Sequence, residues 1–133
     1  MQIKILMFED SPSKVNSLKK ILELKLKHQL NFNLEIIDRT DEEFLETDLL
    51  TSNYHIILVD DDLGGSWGSS VIEKIIEICN DFPEARNIPI IYYSAGTSIS
   101  DLKNKIGIKY NIPCLDFNDV EDYVFKMIKI KFG

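Results

Sequence analysis

Residues 3–8 and 56–59 constrain this chain more than any other feature. Apart from Lys4 they are apolar at consecutive positions, and they lead into Glu9-Asp10 and Asp60-Asp61-Asp62. A strand with one solvated face alternates apolar and polar residues. A short run apolar on both faces reads instead as a strand of a parallel sheet covered by helices on each side. Side chains at the carboxyl ends of such strands open onto the crevice where doubly wound folds place their chemistry, so these carboxylates are expected to meet. Clustered anions repel and raise one another's pKa unless a cation sits among them, and hard oxygen donors with room for water suit Mg²⁺ or Mn²⁺. The expectation is a metal-dependent phosphate site.

The remaining pattern alternates strand and helix. Ser11-Pro12 fits an N-cap followed by proline at the first helical position, and opens a helix over 12–30 with Val15, Leu18, Ile21, Leu22, Leu24 and Leu26 on its apolar face. A strand over 33–38, a short acidic helix over 41–50 and a strand over 55–60 follow. Gly64, Gly65 and Gly68 make the next loop tightly turned. Ser69 or Ser70 is expected to cap a helix running to Cys79, and Pro83 and Asn87 mark a surface loop. A strand over 88–93 ends at Ser94-Ala95-Gly96. A helix over 100–110, a strand over 112–117 and a helix over 120–132 capped by Asn118 or Asp119 complete the chain. Five βα units predict an α/β doubly wound fold of three layers, its parallel sheet in the order 2-1-3-4-5 with right-handed crossovers. Asp38 then lies at the sheet edge, away from the switch point between strands one and three.

Size and charge narrow the function classes. The 133 residues suit one domain spanning 1–133. A net charge of −7 argues against nucleic-acid binding, and no apolar run reaches the roughly 18 residues of a membrane span. No signal segment precedes the first strand pattern, so a cytoplasmic chain without membrane contact is expected. Cys79 and Cys114 have no metal-type spacing and read as reduced thiols.

In this order, the strand-end residues resemble the receiver domain of two-component response regulators over the whole chain. That family has the flavodoxin-like fold, an acidic pair after the first strand, a phosphoacceptor aspartate ending the third, a Ser/Thr ending the fourth and a lysine ending the fifth. Glu9-Asp10 match the acidic pair, Asp60 the phosphoacceptor, and Ser94-Ala95 the Ser/Thr with its small neighbour. Gly68 falls at the family's eighth position after the acceptor, which selects Asp60 over Asp61 and Asp62. The resemblance implies Mg²⁺ (or Mn²⁺) held by the carboxylates of Asp10 and Asp60, by the Asp62 backbone carbonyl and by Glu9 through water. It also implies a phosphoryl group passed to Asp60 from a histidine kinase or histidine phosphotransfer protein. Ser94 is the hydroxyl that turns in to meet that group. With no room for an effector domain, the expected role is a shuttle, sink or adaptor that meets an unknown downstream protein, as a monomer or weak homodimer, and not an enzyme.

One departure stands out. The lysine position is Asp116, and no lysine lies between Tyr110 and Lys126. The family's switch aromatic corresponds to Pro113, which has no ring to swing and no N–H to donate. These changes favour a sink or contact module over a strongly switched effector, and they keep open a degenerate pseudo-receiver that binds a partner without phosphate. A further alternative is a phosphatase, since the 56–63 stretch also resembles the strand-DxD motif of haloacid-dehalogenase-type enzymes. Against it, the acidic pair comes before Ser94 in the chain instead of after it. Outside the strand ends, His28 and His55 read as a helix end and a strand start, and Trp67 as a loop anchor or a partner contact. Lys14, Lys19, Lys20, Lys25 and Lys27 read as a solvated helix face.

Overall fold

The computed structural model describes residues 1–85 and 88–133. Five strands, β1 (Gln2–Phe8), β2 (Asn33–Arg39), β3 (Ile56–Asp60), β4 (Ile90–Ser94) and β5 (Cys114–Asp116), form one sheet in the order β2-β1-β3-β4-β5. Every neighbouring pair is parallel, with Ile5 opposite Ile56, Asp60 opposite Tyr93 and Ser94 opposite Asp116. The helices are α1 (Pro12–Leu30), α2 (Leu45–Thr51), α3 (Gly68–Asp81), α4 (Ile99–Leu102), α5 (Ile108–Tyr110) and α6 (Phe117–Phe132). The doubly wound α/β architecture and its strand order are as expected.

The two-residue alternation of a strand divides the core in two. Ile3, Ile5 and Met7 of β1, Ile56 and Leu58 of β3 and Tyr93 of β4 pack against α1 and α6. Leu6, Phe8, Ile57, Val59 and Tyr92 pack on the opposite face against α2, α3 and Leu102 of α4. This is why β1 from Ile5 to Phe8 and β3 from Ile56 to Val59 are apolar at every position. Continued one step past the apolar residues, the same alternation sends Glu9 and Asp60 toward the α1 and α6 face and Asp61 toward the α3 and α4 face. Two adjacent aspartates therefore meet different surroundings.

Local chemistry sets the element ends. Ser11 Oγ accepts from the Lys14 amide at 3.4 Å, Pro12 occupies the first turn, and Asn31 closes α1 in the left-handed conformation at φ 56°. Several boundaries differ from the sequence expectation. The second helix starts at Leu45 instead of residue 41, because the Asp41 carboxylate takes the Glu43 amide at 3.0 Å and holds a turn there. β2 runs on to Arg39, whose guanidinium makes two 3.0 Å hydrogen bonds to the buried Asp48 carboxylate of α2. α3 begins at Gly68 with Trp67 at the cap position and no side-chain cap, so neither Ser69 nor Ser70 has that role. β4 starts after Pro89 and β5 after Pro113, as a residue without an N–H predicts. The 100–110 helix is interrupted by a π-helical turn, Lys103–Gly107, between α4 and α5. Pro83 opens a 3₁₀ turn (Pro83–Ala85), whereas Asn87 lies outside the described residues.

α6 starts at Phe117, and Asp116 is its cap, accepting from the Asn118 amide at 2.9 Å, so Asn118 and Asp119 lie in the first turn instead of capping it. An N-cap hydrogen bond of this kind is worth about 1 kcal/mol. Asp116→Ala should lower stability in urea denaturation by about that amount, while Asp116→Asn or Asp116→Ser keeps most of it. Equal stability of all three variants would show that the cap contributes nothing.

Candidate functional site

The carboxyl ends of β1, β3 and β4 open onto a polar cleft of about 230 Å³ lined by Asp10, Lys14, Asp60, Asp62, Gly64, Ser94, Ala95, Gly96 and Thr97. Glu9, Asp10 and Asp60 each place one oxygen within 4.8 Å of the others. Glu9 is buried, with its Oε1 accepting from the Tyr93 hydroxyl at 3.0 Å and its Oε2 from the Ser11 amide at 3.1 Å. Asp60 is only 2% exposed, whereas Asp10 faces solvent. Three hard oxygen donors from two strand ends, one of them open to water, are the donor chemistry of Mg²⁺ or Mn²⁺.

Asp60 is the strained member of this set. Burial, then the neighbouring Glu9 charge, pushes its pKa up to about 7, against a weaker opposing pull from Lys14 and the Asp62 amide. That amide lies 3.4 Å from Asp60 Oδ1, and the Lys14 ammonium lies 3.9 Å from Oδ2. The backbone around Asp60 is fixed by close approach. A Cβ on Gly68 would fall 1.9 Å from the Asp60 carbonyl oxygen, so only glycine fits at that eighth position, and its amide bonds the Asp61 carbonyl at 2.8 Å. Asp62 is exposed and its carboxylate takes the Gly64 amide at 2.9 Å, which leaves its side chain outside the carboxylate cluster. Gly64 sits at φ +81° within this turn, over the Asp10 carboxylate.

Ser94 is buried at the end of β4, and its Oγ accepts from the Gly96 amide at 3.1 Å and the Thr97 amide at 2.9 Å. Ala95 is exposed on the cleft wall. Asp116 pairs with Ser94 in the sheet register, the place at which the count from Ser94 puts it, yet its carboxylate is spent on capping α6 and does not line the cleft. Pro113 precedes β5 and supplies a carbonyl to the Tyr92 amide at 2.9 Å.

Sequence reasoning missed the residues around Asp61. Its carboxylate is fully buried and accepts from the Tyr92 hydroxyl, from Thr97 Oγ1 at 3.1 Å, and from Lys105 Nζ at 3.0 and 3.2 Å. The Lys105 ammonium in turn lies 4.7 Å from the centre of the Trp67 ring, which is 56% exposed. Burial, and then the bond to Asp61, raises the Tyr92 pKa; burial and the Glu9 charge raise that of Tyr93. The signal for both was the tyrosine pair itself, since consecutive strand residues face opposite sides and each hydroxyl reaches the acid on its own side. Lys14, read from sequence as part of a solvated face, lines the cleft. His28 is exposed, and His55 accepts the Lys4 amide at 2.9 Å beside the Phe132 ring, where burial lowers its pKa. Both histidines stand outside the site. Cys79 approaches the Ala85 carbonyl and Cys114 the Ile112 carbonyl, each at 3.4 Å.

A pKa held above the ordinary carboxylate value has a defined consequence for stability. The folded state keeps a proton on Asp60 that the unfolded chain releases, so metal-free stability falls as pH rises from about 4 to about 7 and is flat above that. Asp60→Asn removes the penalty. In chelator, the variant should be more stable than the parent by roughly 1–2 kcal/mol at pH 8, with the difference closing near pH 4. Chemical denaturation at both pH values measures it, and a variant less stable at pH 8 would show that Asp60 is not crowded.

No family model matches this sequence, and no curated protein matches it. Solved structures do. The signal receiver domain of a DNA-binding response regulator from Colwellia psychrerythraea 34H superposes with a TM-score of 0.68 at 20% identity, covering 96% of this chain and 98% of that one. A CheY-like response regulator receiver domain from Methanospirillum hungatei gives 0.67 at 19% identity over 98% and 94%. A response regulator from Burkholderia pseudomallei, solved with a phosphorylated aspartic acid and a calcium ion, gives 0.66 at 15% identity over 98% of this chain and 67% of that one. Among the described residues, no helix is long and apolar enough to cross a membrane. From β1 to α6, the chain has the fold of response-regulator receiver domains.

Proposed function

We propose that this chain is a single receiver domain, spanning 1–133, that accepts a phosphoryl group on Asp60 from the phosphohistidine of a histidine kinase or phosphotransfer protein. One observation carries the reading: Glu9, Asp10 and Asp60 converge at the switch point of a receiver fold, where Asp10 and Asp60 line one cleft with Ser94. Mg²⁺ or Mn²⁺ would be held by the Asp10 and Asp60 carboxylates, the Asp62 backbone carbonyl and Glu9 through water. When bound, the metal supplies charge neutralisation for the acceptor and the phosphoryl oxygens.

Asp60 is the nucleophile. Its carboxylate oxygen forms the new P–O bond as the P–N bond of the donor breaks, and the electron pair leaves on the imidazole nitrogen. Such loose transfers need positioning and charge stabilisation more than covalent chemistry. Tyr93 and the Ser11 amide hold Glu9, Gly68 fixes the Asp60 backbone, and Ser94 offers its hydroxyl from β4 to the transferred group. The product acyl phosphate adds a charge of roughly −1.5 to −2 at the cleft, where the Asp62–Gly68 and Ser94–Thr97 loops respond to it. The domain then acts as a shuttle, a sink or a protein-contact adaptor, with no catalytic turnover of its own beyond slow self-dephosphorylation.

Incubation with Mg²⁺ and a small acyl phosphate, followed by intact-mass measurement, tests this. One phosphoryl group per chain is expected, absent in Asp60→Asn and absent in chelator. Steady turnover of the donor without an adduct would favour the haloacid-dehalogenase-like phosphatase, and no reaction at all the pseudo-receiver.

A further inference from the structure

We infer that Lys14 is the phosphoryl-binding cation of this cleft, an inference that rests on the phosphoacceptor reading of Asp60. Among the described residues lining the cleft, Lys14 is the one cation. Its ammonium stands 3.9 Å from Asp60 Oδ2, beyond hydrogen-bonding range, and 5.5 Å from the centre of the Phe117 ring. Phe117 directly follows Asp116, so the aromatic face brings the lysine of α1 across to the end of β5.

Helix physics does not account for a lysine there. Lys14 is the third residue of α1, in the turn where the macrodipole favours an anion, and that turn carries no acid. The helix places Lys27 in its last turn, where a cation is favoured. A lysine set against the dipole and aimed at a buried carboxylate is held by the site. Among the described residues its ammonium makes no hydrogen bond, only the 3.9 Å ion pair to Asp60, in contrast to Lys105, whose ammonium makes two hydrogen bonds to Asp61. An ammonium with its donors unspent and a cation–π shelf to rest on can turn onto oxygens added to Asp60.

Charge gives the role a signature. A cation beside Asp60 attracts a phosphoryl group and repels a divalent metal, so its removal weakens binding of the first without weakening that of the second. A merely structural lysine would move them together. The test uses the full chain with three variants: Lys14→Met, which keeps the stem against Phe117, Lys14→Arg, which keeps the charge, and Lys19→Met, which removes an exposed lysine from the same helix. Calorimetry measures Mg²⁺ alone and beryllofluoride in saturating Mg²⁺, and intact mass follows phosphorylation by a small acyl phosphate.

Lys14→Met should weaken beryllofluoride binding and slow phosphorylation by about tenfold, a partly solvated charge-assisted contact, while Mg²⁺ alone binds as well as or better than in the parent. Lys14→Arg should retain most of both properties and Lys19→Met all of them. If the parent is phosphorylated and Lys14→Met matches it within about twofold, or if Lys14→Met loses Mg²⁺ and beryllofluoride binding together, the assignment of Lys14 is wrong and the phosphoacceptor reading stands. A parent that takes up neither probe overturns both.

Discussion

Asp60 and Asp61 are consecutive, both buried, and compensated to very different degrees, and this asymmetry organises the end of the molecule on which the cleft lies. Asp61 faces α3 and α4, where Lys105, Tyr92 and Thr97 together supply four contacts to its two oxygens. A buried ion becomes tolerable only when its charge is paired and its lone pairs are met. Asp60 faces the other way, toward Glu9, with one long amide contact and one distant ammonium. Its weak compensation leaves the carboxylate open to a cation or electrophile that enters the cleft.

The well-compensated aspartate serves the other one. Through Asp61, the loop after β3 is tied to β4, to Thr97 and to the π-helical turn that carries Lys105. The Asp61 amide bonds the Tyr93 carbonyl and its carbonyl takes the Gly68 amide, so the backbone that follows Asp60 is fixed. Thr97 belongs to both networks, donating its hydroxyl to Asp61 and its amide to Ser94 Oγ. The backbone beside Asp60 therefore rests on a hydrogen-bonded floor that Asp61 ties to β4, to the Ser94–Thr97 loop and to Lys105.

How much of this was legible in the sequence follows from range. The strands of the centre announced themselves by composition, since a residue buried on both faces must be apolar, and the strand order followed from the alternation of units. Glu9, Asp10, Asp60 and Ser94 were readable because strand ends in this topology share a crevice. Boundaries set by one local hydrogen bond were not. The Asp41 turn that delays α2, the Asp116 cap that starts α6 and the glycine-led start of α3 each depend on a choice among neighbouring polar residues that period and propensity do not rank. Lys14 was misplaced and Lys105 missed for a related reason: a lysine stem is long enough that its position on a helix does not say where its ammonium rests.

That point changes the meaning of the acidic residue at the end of β5. Read along the chain, Asp116 looks like a charge reversal in the cleft, a carboxylate set where it would repel an incoming phosphate. In three dimensions its carboxylate takes the Asn118 amide of α6, and among the described residues lining the cleft the cation is Lys14, its ammonium over the Phe117 ring. Strand β5 thus contributes its backbone register beside Ser94 and the ring that follows it, while α1 contributes the cation. A site of this kind is defined by which charges can reach a point in space, and the helix that follows the acidic pair reaches Asp60 as directly as a strand two places away in the sheet.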